Sequence, residues 1–105
     1  MTIHTNGLVA IRTDGGLGSL PGLSAPRSAT FAAIDPARAH EILDLVAATR
    51  FFDRGEALAD PLVRDGRVHY VLVDHAGRCR TLRVPEPIAD QALGDLIRAI
   101  RAIVS

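Results

Sequence analysis

Four histidines, one cysteine and three loop serines are the side chains here that could do chemistry, and their spacing argues against most of it. A metal site needs ligands gathered on one face, and none of His4, His40, His69 and His75 has a second His, Cys or acid at ligand spacing on a shared element. His40 is followed by Glu41, which points elsewhere on a helix. His69 and His75 flank a turn, and His69, alternating with Tyr70, is expected to donate across a sheet. Ser19, Ser24 and Ser28 lie in or near a glycine-rich stretch with neither a helix N-terminus nor an oxyanion motif behind them. Cys79 sits between Arg78 and Arg80, which could raise its reactivity, but a strand cysteine turned inward is expected to be inert packing. With no second cysteine it forms no internal disulfide. No enzyme, no resident metal and no cofactor are expected.

The stretch from Asp14 to Gly22, Asp-Gly-Gly-Leu-Gly-Ser-Leu-Pro-Gly, holds four glycines and a proline around two leucines. Ordering glycine costs backbone entropy and leaves the backbone accessible, so a glycine-rich loop that keeps large apolar side chains points to contact with a partner. It lacks the Lys-Ser/Thr pair and the following helix of a phosphate-binding loop. Two readings stay open: Leu17, Leu20 and Leu23 reach a partner, or they fold back on the core as an Ω-loop.

The elements that position this loop follow from periodicity. Ile3, Thr5, Val9 and Ile11 form a first strand ending at Thr13-Asp14-Gly15-Gly16, and Ser28 to Ile34 forms a second, the two pairing as a long hairpin. Asp35-Pro36 reads as N-cap and first helical residue, and Ala39, Ile42, Leu43 and Val46 carry a helix over Pro36 to Thr49. Phe51-Phe52 is expected to seal one end of the core. Gly55 to Gly66 reads as a loop. Val68 to Val73 makes a strand, central because both its faces are apolar; Asp74-His75-Ala76-Gly77 turns the chain and Cys79 to Val84 returns. From Ile88 onward Leu93, Leu96, Ile97 and Ile100 keep helical spacing, with Asp90, Asp95, Arg98 and Arg101 outward. The order strand, strand, helix, strand, strand, helix predicts one α+β domain over residues 1–105: an antiparallel four-stranded sheet of two hairpins with both helices packed on one face.

Composition closes off other classes. At 105 residues, 48% hydrophobic and 23% charged, the chain has a globular composition. All twelve basic residues are arginine, balanced by twelve acids to a formal net charge of zero, so no basic face is expected and nucleic acid is not a partner. The arginine and alanine bias suits a GC-rich bacterial genome. No apolar run approaches the ~20 residues that span a bilayer. A start without a signal-peptide pattern gives a cytoplasmic expectation.

Taken in order, several segments resemble the emfourin family, small bacterial protein inhibitors of thermolysin-like (M4) metallopeptidases. They are Gly15-Gly16-Leu17-Gly18 after the first strand, the helix followed by Phe51-Phe52 and a proline-containing loop, Tyr70-Val71-Leu72-Val73, Arg80-Thr81-Leu82-Arg83-Val84, and a closing helix from Leu93 to Ile103. The pattern departs from the family at Ser19-Leu20-Pro21-Gly22, where a shorter, more basic connection is expected. The resemblance implies a cytosolic inhibitor whose partner is a thermolysin-like metallopeptidase. Such enzymes take a large apolar side chain on the primed side of the scissile bond. The peptidase-binding residues are therefore expected among Asp14, Gly15, Gly16, Leu17, Gly18, Leu20 and Leu23, one leucine filling that pocket and Asp14 or a loop carbonyl approaching the catalytic zinc. Two alternatives stand beside it: a non-catalytic interaction module or homodimer using an open sheet face or edge strand, and a small-molecule domain with a pocket beneath the Gly55 to Gly66 loop.

Overall fold

In the computed structural model, residues 7–15, 26–55 and 67–104 are described. Strands β1 (Gly7–Gly15) and β2 (Arg27–Thr30) pair antiparallel, Leu8 opposite Thr30 and Ile11 opposite Arg27. The other edge of β1 pairs along its whole length with β3 (Arg67–His75), from Gly7 opposite His75 to Gly15 opposite Arg67. Strand β4 (Arg78–Pro85) completes the antiparallel order β2-β1-β3-β4. The apolar run Val71 to Val73 does lie in a central strand, and Pro85, which has no N–H to give a ladder, ends an edge strand.

Helix α1 (Pro36–Thr49) begins as its sequence dictates: the Asp35 carboxylate accepts from the Ala37 N–H at 3.1 Å, and Pro36 fills the first turn. Helix α2 (Gln91–Val104) presents Leu93, Leu96, Ile97 and Ile100, all 3% exposed or less, to the core. They meet Ile42 and Val46 of α1 and one face of the sheet, made by Val9, Ile11, Val71, Val73, Leu82 and Val84. Leu43 is only half-buried at the margin of this cluster. Each fully buried Leu or Ile is worth about 1.5–3 kcal/mol, so this layer is what holds the helices to the sheet. Phe51 is completely buried and meets Phe52 edge-on, closing one end of the core as expected.

Three boundaries and one side-chain orientation differ from the sequence reading. Strand β2 stops at Thr30, and Phe31–Ala33 form a 3₁₀ turn in which Phe31 turns into the core. Helix α2 starts at Gln91, and Asp90 is its cap: its carboxylate accepts from the Leu93 N–H at 3.1 Å. The second turn is tighter than expected, with β3 running through His75 and only Ala76 and Gly77 between the strands. Both adopt positive φ, 53° and 80°, as a two-residue hairpin turn requires. Cys79 is exposed, not turned inward: opposite Asp74, it belongs to the sheet face that carries no helix. Ile3, Thr5 and residues 56–66 of the expected loop lie outside the described residues.

Gly7 is fixed by close approach. At φ 117° it lies so near β3 that a Cβ would stand 2.0 Å from the Asp74 carbonyl oxygen, a contact no side chain survives.

Candidate functional site

The expected binding loop leaves the sheet at Gly15 and returns at Arg27. Asp14 and Gly15 are the last residues of β1, opposite Val68 and Arg67, whereas Gly16, Leu17, Gly18, Leu20 and Leu23 lie outside the described residues. Strand β1 outruns its partner here. Its pairing with β2 ends at Ile11 and Arg27, so Arg12 to Gly15 pair only with β3 among the described residues.

The two faces of this root carry different chemistry. On the open face the Asp14 carboxylate is ion-paired with Arg12, whose guanidinium lies 4.4 Å from the centre of the Tyr70 ring. To meet a zinc ion, Asp14 would exchange that arginine for the metal.

On the helix face lies a polar cluster that spacing could not reveal. His69, 1% exposed, places Nδ1 2.8 Å from Thr13 Oγ1 and Nε2 2.7 Å from a Glu86 carboxylate oxygen. Arg101, on α2, donates through Nη2 to Thr13 Oγ1 at 2.9 Å and to His69 Nδ1 at 3.0 Å. Since a guanidinium only donates, Nδ1 is the acceptor, and the ring proton sits on Nε2, facing Glu86. His69 therefore does reach across the sheet, but at Thr13 it accepts rather than donates as expected; its own N–H goes to Glu86. The backbone adds one more tie, from Glu86 N–H to the Arg67 carbonyl at 2.8 Å.

Thr13, His69 and Glu86 share the connectivity of a hydroxyl, imidazole and carboxylate triad, but not its capability. Arg101 donates to the lone pair that would take the hydroxyl proton, and the imidazole is only 1% exposed. What the cluster does is mechanical: it binds the loop-bearing strand to β3, to the residues after β4 and to α2. The legible signal was that His69 shares a strand face with Val71 and Val73. Its partners, 17, 32 and 56 residues away, had none.

Among the described residues no three His, Cys, Asp or Glu side chains gather as a metal site, and no helix is long and apolar enough to cross a membrane.

The family model described as Emfourin matches residues 11–101. A solved structure, emfourin (M4in) from Serratia proteamaculans, an M4 family peptidase inhibitor, aligns over 100% of this chain and 96% of its own, with 23% identity and a TM-score of 0.50. At that identity the likeness speaks to the fold. Comparison with curated protein sequences finds no significant match.

Proposed function

We propose, because this chain belongs to the Emfourin family, that it is a protein inhibitor of a thermolysin-like, M4-type zinc metallopeptidase and not itself an enzyme. The observation that carries this reading is the extent of the family match, residues 11–101, which takes in the second hairpin, all of β2, the later half of β1 and the segment between them.

In the proposed mechanism the segment from Asp14 to Leu23 enters the peptidase cleft. Gly15, Gly16 and Gly18 let its backbone come close to the cleft wall, and one of Leu17, Leu20 and Leu23 fills the apolar pocket on the primed side. Such a buried anchor is worth about 2 kcal/mol or more at a protein interface. Strand pairing beside the loop adds main-chain hydrogen bonds to an edge strand of the enzyme. Asp14 or a loop carbonyl supplies an oxygen toward the enzyme's zinc. The Thr13–His69–Glu86–Arg101 cluster supports this reading by fixing the strand from which the segment departs, which lowers the ordering cost of binding.

Titrating a thermolysin-like peptidase with the purified chain, and following peptide hydrolysis, tests the proposal. Loss of activity that saturates near one chain per enzyme is the expected result. No inhibition, together with a concentration-dependent size in solution, would instead make the chain a self-associating interaction module.

A further inference from the structure

At the end of the sheet away from the loop, where Gly7 pairs with His75, a cleft of about 460 Å³ opens between the end of α1 and the β3–β4 turn. Its size falls within the roughly 300–1,000 Å³ of small-molecule sites. Leu43, Phe51, Phe52 and Ala76 give it mainly apolar walls, and Arg50 and Arg78 stand beside them. The two arginines differ. Arg78 is committed: its guanidinium lies 4.6 Å from the centre of the Phe52 ring and donates to Asp53 at 2.6 Å. Arg50 is exposed, and its guanidinium has no hydrogen-bond or ion-pair partner among the described residues. Asp53 offsets one of the two guanidinium charges, so among the described residues the cleft keeps one unanswered positive charge beside an apolar floor.

The backbone singles out the same place. Among the described residues the non-glycine positions with positive φ are Arg50, at 54°, and Ala76, at 53°, and both line this cleft. Arg50 caps α1 in the left-handed conformation, where glycine or asparagine is the easier choice, and its N–H reaches back to the carbonyls of Ala47 and Val46. A residue in this backbone region whose charge is unpaired among the described residues, beside an apolar hollow, is a candidate for ligand contact.

We propose that this cleft binds a small amphipathic carboxylate, its apolar body against Phe52 and Leu43 and its carboxylate on the Arg50 guanidinium. An apolar ligand with a cationic head would bring like charge to Arg50, and a purely apolar one would leave it unanswered. A guanidinium accepts a carboxylate through paired N–H donors, the strongest form of this contact. The site lies at the far end of β1 from the proposed peptidase contact, so the two functions stand or fall separately.

The test is a titration of the full ¹⁵N-labelled chain with phenylbutyrate, and in parallel with phenylbutylamine, which has the same apolar body and the opposite charge. Phenylbutyrate should shift the amide signals of Arg50 to Asp53 and of Ala76 and Gly77, with a Kd of about 1 mM or tighter. Phenylbutylamine should not. Arg50→Gln, at an exposed position, should keep the folded spectrum and weaken phenylbutyrate binding at least about tenfold. Absence of shifts with phenylbutyrate, equal shifts with the amine, or unaltered affinity in Arg50→Gln would overturn the proposal. Shifts of the same amides on concentrating the protein alone would also overturn it, assigning the cleft to a second copy of the chain.

Discussion

The two ends of the sheet are secured by opposite means. At the turn end the chain is closed by apolar contact: Phe51 is fully buried beneath Phe52, and Phe31 meets the His75 ring edge-on with centroids 5.5 Å apart. At the loop end the same strands are held by Thr13, His69, Glu86 and Arg101, four polar side chains joined by hydrogen bonds. Apolar burial stabilises in proportion to area and tolerates small shifts; a hydrogen-bonded cluster contributes less net energy but demands one geometry. The end proposed to meet the peptidase is thus the one built for position, and the other end is built for stability.

Substitutions at the two ends should separate these roles. The largest loss is expected at the turn end, where Phe51→Ala removes a completely buried aromatic and should cost about 3–5 kcal/mol in denaturant unfolding. A cost under about 1 kcal/mol would mean that Phe52 alone closes the core. At the loop end His69→Ala leaves Thr13, Glu86 and Arg101 without their shared partner and should cost about 2 kcal/mol. It should also weaken inhibition by more than its stability loss explains, since the folded fraction stays near one. If inhibition is unchanged in the folded variant, the cluster does not position the loop.

A smaller effect belongs to α2, which the two ends share. The Asp90 carboxyl is held below its usual value of 3.8, first by the Leu93 N–H and then by Arg54, against burial, which raises it. A carboxyl lowered by folding contributes stability that is complete above the unfolded aspartate range, near ~3.9, and is lost as the pH falls through the lower folded value. Asp90→Ala should therefore cost about 1 kcal/mol at neutral pH and flatten the decline in stability on acidification below about pH 4. An unaltered acid limb of the stability profile would show that Arg54 and Leu93 do not favour the charged form.

What was legible in the sequence was what local physics decides. Asp35-Pro36 announced α1 because cap chemistry is confined to adjacent residues, and the spacing of Leu93, Leu96, Ile97 and Ile100 announced a buried helix face. Val71 to Val73 announced a central strand. The errors fell where a distant partner decides. Cys79 turned outward because the register of β3 and β4 sets its face, and β2 stopped at Thr30 where Phe31 turns into the core. Asp90 was read as a surface acid on the helix; only the start of α2 at Gln91 reveals it as a cap. The His69 cluster draws on β1, β3, α2 and the residues after β4, so no window of sequence contained it.

The segment from Asp14 to Leu23 is tested most directly by replacing Leu17, Leu20 and Leu23 together by alanine. Inhibition of a thermolysin-like peptidase and the Tm should be compared with those of the parent chain. Inhibition weakened at least about tenfold, with Tm nearly unchanged, is the expected result, because an interface anchor contributes to binding and not to the core. A triple variant that inhibits as well as the parent would contradict the loop mechanism, and one whose Tm falls sharply would place the leucines in the core as an Ω-loop.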